Sequence, residues 1–450
     1  MPGTEKPVSS EPASKEATNY VVESKDVFDS AVFDPVLAKK LALINTAIDK
    51  IGMTPFQWKL FFLNGFGYTV DSLLVICQSI AMPAVTMQYG SPDKSLKGIA
   101  LASQIGLLVG AAIWGLSADI IGRRLAFNSS LLLAAIFTII AGGMPGYISF
   151  ATLVALYSAA VGGNYILDSV TLLEFLPANK SWLVTFMSIW WAVGYTITGL
   201  LAWAFMSNYT CSSSAAPGTC AYQDNMGWRE GDVKNTEESV WSVVRIKAHF
   251  SGLFQTKRLT WSFFVIMLNW FVIGIVSPLY HVFLPYYLKS QGVKVNSSSN
   301  YLTWRNYAIN QVVGLVGPVI AGVLVETKLF GRRGTMALGA LLTMVLQFGY
   351  TQIKTPAQNV GVSAAISAAT NIYYGTMYAY TPEILPSAHR ATGYAICVIF
   401  NRVGGIVGVI VGSYANVETT TPLFVCAALY ALLIILSVLL PFESRGKRAQ

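Results

Sequence analysis

Between residues 60 and 440 the sequence is cut into apolar stretches of membrane-crossing length, and nothing else in the chain narrows its possible folds so far. An α-helix rises about 1.5 Å per residue, so about 20 apolar residues span a hydrocarbon layer of ~30 Å. Eleven stretches qualify: 60–87, 98–117, 126–143, 148–173, 183–206, 260–287, 303–325, 334–353, 359–380, 391–413 and 421–440. Lipid offers no partners for backbone polar groups, so such stretches cross as helices, and neighbouring helices let them tolerate the frequent Gly and Pro. The expected fold class is therefore an all-α polytopic membrane protein. Composition agrees, with 54% hydrophobic and only 12% charged residues, against about 25% charged in soluble chains.

The polar remainder has a pattern. Residues 1–55 are rich in Ser, Glu, Lys and Pro and carry no short apolar segment at the N-terminus. They are expected to be a mostly disordered cytoplasmic tail without a cleavable signal. The net charge of +8 does not point to nucleic acid, because the basic residues sit in short loops and ends. Arg123 and Arg124, Lys180, the 328–333 cluster, His389 and Arg390, and the 445–448 tail would all be cytoplasmic by the positive-inside bias. Five scattered cysteines exclude a zinc site or a disulfide framework. Cys211 and Cys220 share a polar loop and would pair if it faces an oxidising space.

The chain repeats itself. Gly122-Arg123-Arg124 recurs as Gly331-Arg332-Arg333, preceded by Asp119 and Glu326 respectively; Glu174-Phe175-Leu176-Pro177 recurs as Glu383-Ile384-Leu385-Pro386. Both pairs are 209 residues apart, which argues for two homologous halves. The offset carries 183–206 onto 392–415, but it carries 421–440 back onto 212–231, a polar stretch. The first half thus has five apolar stretches and the second has six. Topology gives the same result: with both tails inside, one further crossing is needed between 207 and 260. The best segment there, 240–254, contains Arg245, Lys247 and His249 and reads as an amphipathic surface helix. The expected organisation is a tail (1–55), a five-helix bundle (56–206), a polar loop and linker (207–258), a six-helix bundle (259–441) and a tail (442–450). That gives eleven crossings in place of twelve.

GLSADIIGRR (115–124) and LVETKLFGRRG (324–334) resemble paired loops of the major facilitator superfamily. GFGYTVDSL (65–73), GGNYILDSVTLLEFLP (162–177), YAYTPEILPSAHRATG (378–393) and PFESRGK (441–447) resemble its synaptic-vesicle-two-related and sugar-porter-like branch, in fungal form. The resemblance covers about residues 55–447. It implies two helical bundles that rock about a midplane site. It also implies a cytoplasmic gate of ion pairs made by Asp119, Gly122, Arg123, Arg124 and Glu174 with Glu326, Arg332, Arg333, Glu383 and Arg390. Relatives of this kind open a sixth helix at a motif matching Asn225-Met226-Gly227-Trp228-Arg229. Here Glu230-Gly231-Asp232 follows at once, as though that helix had been excised at Arg229–Glu230, by splicing or by a faulty gene model.

Inside the apolar stretches a few polar groups stand out. Asp71 is an intramembrane acid, a residue type that marks proton or substrate sites unless it is a structural pair. Asp168 reads equally as a site residue or as a salt-bridge partner of Arg402. Asn401 and Arg402 would hold a carboxylate or sugar hydroxyls, since Arg presents a planar fork of donors. His281 would titrate or pack. Tyr374, with Tyr373 and Tyr378, would line a cavity or belong to the core. Asn208 and Asn296 head glycosylation sequons that fall outside in a twelve-helix frame. No phosphate loop, metal-ligand spacing or nucleophile constellation is present, so an enzyme, a cofactor and a metal are not expected. The paired glutamines of sugar porters are missing from 261–288, which counts against hexoses. The expected function is secondary transport of a small polar metabolite, sugar-like or an organic acid, coupled to protons. The protein would be a monomer in the bilayer of the plasma membrane. The competing reading is a non-transporting sensor or an inactive product of a shortened gene.

Overall fold

The computed structural model describes residues 35–91, 97–211, 220, 225–226, 228, 257–282, 299–386, 390–415 and 421–444. Every regular element among them is helical. In chain order they are α1 (Pro35–Ile51), α2 (Pro55–Tyr89), α3 (Gly98–Ile121), α4 (Arg123–Gly142), α5 (Tyr147–Val161), α6 (Asn164–Phe175), α7 (Trp182–Phe186) and α8 (Ser188–Met206). The second half holds α9 (Lys257–Ser277), α10 (Asn300–Gly314), α11 (Val316–Leu324), α12 (Gly331–Tyr350), α13 (Pro356–Glu383), α14 (Arg390–Tyr414) and α15 (Thr421–Leu439).

Sequence chemistry sets several of these boundaries. α2 and α13 both start on a Thr-Pro-x-Gln box: Thr54 and Thr355 cap, Pro55 and Pro356 take the first helical turn, and Gln57 and Gln358 reach back. α5 and α6 form one rod interrupted at Gly162-Gly163. A Cβ on Gly162 would come within 2.6 Å of the Leu107 carbonyl oxygen, so glycine permits the close approach of α3. α9 ends in a wider π-type turn at Pro278–Val282, where proline supplies no N–H to the helical ladder.

Nine rods among the described residues are long and apolar enough to cross a membrane. α12 and α13 also reach crossing length, 20 and 28 residues, with more polar sequences, and the expected count of eleven depends on including them. The tail was expected to be mostly disordered. Residues 1–34 lie outside the described residues, while α1 occupies 35–51 and is fixed by Asp49, whose carboxylate accepts the Ala178 backbone N–H at 2.9 Å. Leu37, Leu41, Ile44, Ile48 and Ile51 recur at helical spacing in a segment free of Gly, a short periodic signal that the polar flanks conceal.

Helix directions follow from close contacts. Glycine positions 404 and 408 of α14 approach the carbonyls of Phe271 and Ile275, so α14 and α9 run parallel. Gly65 meets Trp190, and Gly194 meets Thr69 and Ser72, so α2 and α8 are parallel too. α2, α8, α9 and α14 all start at the end where Arg332 meets Glu383 and Ser181. At the opposite end Asn225, fully buried, donates to the Ala84 carbonyl at 2.8 Å, and Trp228 packs edge-on to Phe150 at 5.1 Å. Trp228 and Lys257 therefore lie at opposite ends of the protein. The expected surface helix at 240–254 and the proposed excision point fall outside the described residues.

In the second half α15 packs on α12 and α9. By the 209-residue offset, α12 and α9 correspond to α4 and α2. An apolar cavity of 140 Å³ opens there between α2, α4, α5 and α8, with Trp228 at one edge. Near this end Cys211 and Cys220 are joined in a disulfide with a Cα–Cα distance of 6.3 Å. Asn208 is exposed, while Asn296 lies outside the described residues.

Gly331 begins α12 with φ +57°, and a Cβ there would sit 2.6 Å from the Glu443 carboxyl carbon. Gly349, in the same helix, has open space around it. Gly331→Ala should lose roughly 1–3 kcal/mol of stability from backbone strain and crowding, and Gly349→Ala should lose none. Thermal unfolding in detergent would measure both, and equal effects would contradict this account of the turn.

Candidate functional site

Three polar constellations lie along the molecule. The first closes the basic end. Arg332 is fully buried, and its guanidinium forms a two-pronged pair with Glu383, Nη2–Oε1 2.9 Å and Nε–Oε2 3.1 Å. It also reaches Glu326 at 3.2 Å, the Val325 carbonyl at 3.3 Å and Ser181 Oγ of the first half at 3.0 Å. Burial opposes the charge on Arg332, but Glu383 and Glu326 outweigh it and drive the guanidinium further into its protonated range. Glu443 accepts the backbone N–H groups of Arg332 and Arg333 at 2.8 and 3.2 Å, an anion on a helix N-terminus. Ser444 donates to Glu383, and Arg333 reaches the Val438 carbonyl. Arg390, at the start of α14, is buried.

The matching pair in the first half, Arg123 with Glu174, also forms, with side chains 27% and 33% exposed. Gly122 before it has φ +92°. Arg124 is exposed, and the side chain of Asp119 lies outside the described residues. Two ion pairs related by one offset thus differ sharply in burial.

The second constellation is a buried seam between α2, α4 and α6. Asn164 Nδ2 donates to Asp71 Oδ1 at 3.2 Å, and Ser130 donates to Asn164 Oδ1. Asp168 lies one turn along α6, against Gly67 and Phe127. Asn64 Nδ2 donates to the Asp168 carbonyl at 3.0 Å, and the Tyr68 hydroxyl bonds Ser169.

The third is a central cavity of 50 Å³ lined by both halves. α8 contributes Trp191 and Tyr195, α13 contributes Asn371, Tyr374 and Tyr378, α14 contributes Asn401 and Arg402, and His281 enters from the turn after α9. Gln104, Ser79 and Ser277 complete its polar lining. The structure therefore brings His281, Tyr374, Asn401 and Arg402 together. It sets Asp71 and Asp168 apart from them in the seam. Asp168 is buried against the first helix of its own half, and Arg402 faces the cavity. Tyr373, adjacent to Tyr374, turns into the second bundle and donates to Asn269 at 2.8 Å. Tyr68 connects the two regions: its hydroxyl is in the seam, while its ring lies 6.1 Å from Trp191 and 6.4 Å from Tyr378.

Sequence reasoning missed Gln104, Trp191, Tyr195, Asn371 and the Ser181–Arg332 bond. Gln104 and Asn371 carried a usable signal, as amides inside apolar stretches. The indole and the phenol of α8 carried none, because aromatic residues are common throughout these helices.

Described residues tie the halves together at both ends. Arg332 bonds Ser181 at the basic end. At the other, Ser413 Oγ accepts the Lys97 N–H at 3.0 Å, and Asn300 donates to the Cys211 carbonyl at 3.4 Å. Both halves of a repeated helical bundle thus line one cavity. Over residues 259–450 the sequence matches the Major Facilitator Superfamily. It is 33% identical to an uncharacterized MFS-type transporter of Schizosaccharomyces pombe, covering 94% of this chain and 91% of that one. The chain belongs to the Major Facilitator Superfamily. It is 23% identical to the synaptic vesicle 2-related protein of Pongo abelii over 91% of this chain and 82% of that one. Its fold matches the xylose transporter XylE of E. coli with a TM-score of 0.63 at 14% identity, over 85% of this chain and 97% of that one.

Arg332→Ala should cost on the order of 3–5 kcal/mol, because it strands buried Glu383. Arg123→Ala should cost about 1 kcal/mol or less, because its pair is solvated. Denaturant unfolding of the purified variants tests this; similar losses would show that burial does not set the difference.

Proposed function

We propose that this chain is a secondary carrier of a small polar solute, working by alternating access and coupled to protons through Asp71. The observation that carries the reading is the central cavity, built by both halves, with hydrogen bonds between the halves at both ends of the molecule. Moving the solute requires one tie to break while the other holds. The Arg332 cluster and the Arg123–Glu174 pair are then the cytoplasmic gate, ion pairs formed in one state and broken in the other. Asp71 is the proton carrier, an acid buried inside a membrane helix beside a second acid. The protein acts as a monomer in the plasma membrane, with its disulfide loop and Asn208 outside.

Reconstituted protein offered labelled sugars and carboxylates should accumulate one of them under an inward proton gradient. Asp71→Asn should reduce gradient-driven uptake at least about tenfold while leaving exchange of labelled for unlabelled solute in place. Gradient-driven uptake at the wild-type level in that variant would remove Asp71 from the coupling step.

A second reading is that the chain, as written, is a shortened form that does not transport. Two observations favour it. The alignment with the S. pombe relative extends over 509 residues, longer than the 450-residue chain itself, so the relative carries residues with no counterpart here. The apolar cavity beside Trp228 lies where a sixth helix of the first half would pack. Restoring an apolar helix after Arg229 should switch uptake on if this reading holds. Full uptake by the unaltered chain would dismiss it.

A further inference from the structure

The helix that precedes the first crossing has two unlike sides. Asn45, Ile48 and Asp49 of α1 are spaced i, i+3, i+4 and turn toward the bundle. Asn45 and Ile48 are half-buried, and Asp49 accepts the Ala178 N–H at 2.9 Å. Lys40, Leu43, Ile44, Ala47, Lys50 and Ile51 form a second strip at the same helical spacing, and all six are exposed. Three of them are large and apolar: Leu43 is 65% exposed, Ile44 56% and Ile51 66%. A lone helix of 17 residues is marginal in water, so a strip of this kind calls for a surface to lie on.

The place of α1 in the fold indicates which surface. Gly52 closes the helix at φ +72°, with its N–H on the Ile48 carbonyl at 2.9 Å. Only residues 52–54 separate α1 from α2, a reach of at most about 10 Å. The first turn of α2 is held on the same connection that Asp49 grips: Gln57 donates to the Phe175 carbonyl at 3.5 Å, and the Phe56 ring meets Phe175 edge-on at 5.5 Å. From this turn onward α2 exposes Phe56, Trp58, Phe62, Leu63 and Phe66, the side of a crossing helix that faces lipid. Trp58 marks the headgroup level, where indoles collect. The last turns of α1 therefore sit at headgroup height, at the Arg332 end of the molecule.

The chemistry of the strip matches a lipid leaflet. Lys40 and Lys50 border the apolar positions, and their stems can lie along acyl chains while the ammonium groups rise to phosphates. Anionic lipids attract such lysines. The strip is also continuous with the lipid-facing side of α2, whereas a soluble protein would have to compete with the bilayer for it.

We propose that α1 lies in the surface of the bilayer, with Leu43, Ile44 and Ile51 among the acyl chains and Lys40 and Lys50 on anionic headgroups. This does not depend on what the protein carries. Spin labels on Ile44→Cys, Ile51→Cys and Thr46→Cys of the full-length protein in lipid nanodiscs test it, with the unaltered chain giving the background from Cys77, Cys397 and Cys426. Thr46 is exposed but lies about 160° around the helix from Ile44. Labels at 44 and 51 should be several-fold more accessible to oxygen, relative to a water-soluble nickel chelate, than the label at 46. Equal nickel access at all three would place the strip in water, leave it to a soluble protein and overturn the proposal. Amide exchange of residues 35–51 in the unaltered protein should be slower in discs with about one-third phosphatidylserine than in phosphatidylcholine alone. The double variant Lys40→Gln/Lys50→Gln should lose that difference. Exchange that is the same in both lipids for the unaltered chain would refute the headgroup contact, whatever the variants do.

Discussion

The buried guanidinium of Arg332 is the contact on which the arrangement of the two halves depends. Removing such a charge from water costs several kcal/mol unless carboxylates and hydrogen bonds surround it. Glu383 and Glu326 provide the charge, while Val325 and Ser181 complete the shell. The partners come from three segments: the end of α13, the α11–α12 connection and the start of the first half's α7. One side chain thus fixes the end of a helix, the entry into α12 and the distance between the bundles. The segment after α15 depends on it as well, since Glu443 and Ser444 fold back onto the same cluster. A network satisfied at every atom is either formed or broken, with little between, and that is the property a gate requires.

Elsewhere, small residues hold the helices in place. Within a bilayer apolar helices gain little by meeting one another, so association relies on close backbone approach. Gly106 and Gly110 of α3 touch the carbonyls of Ala155 and Ala159, and Gly404 and Gly408 of α14 touch those of Phe271 and Ile275. These seams allow almost no side chain to enter. At mid-height, between the halves, α8 and α13 carry indole and phenol rings instead, and the packing gives way to a cavity. Under the proposed function, the contrast separates rigid units from the surface on which they would move.

Much of this was legible in the sequence. Helix positions followed from hydrophobic length alone, and the 209-residue offset placed Arg123–Glu174 and Arg332–Glu383 as equivalent pairs before any contact was known. The offset could not reveal that one pair is buried and the other partly exposed, because Ser181 and Glu443 reach Arg332 through contacts between segments that the offset does not pair. α1 was missed because its apolar positions are diluted by polar flanks. Asp168 and Arg402 attracted each other on paper as opposite charges in apolar helices. In space Asp168 faces Gly67 and Arg402 faces the cavity, a separation set by the rotation of each helix about its axis, which charge alone does not report. The cavity-lining rings of α8 were invisible for a simpler reason, since aromatic residues fill both core and cavity in this chain.

The separation of the acids from the cavity bears on how a carrier of this design would couple two solutes. Asp71 and Asp168 lie in the seam, and among the described residues neither lines the cavity. Under the proposed function, a proton on the seam and a solute in the cavity would therefore not compete for one site, and coupling would have to pass through structure. Tyr68 spans the gap, its hydroxyl on Ser169 and its ring against Trp191 and Tyr378. Protonation that changes how α6 sits against α2 shifts Ser169, and with it the ring that packs on Trp191 and Tyr378. The path is short, is made of groups already in contact, and stays within the first half until it reaches Tyr378. Under the proposed function, the first bundle holds the proton and both bundles line the solute cavity, so alternating access must realign the two across the rings of Tyr68, Trp191 and Tyr378.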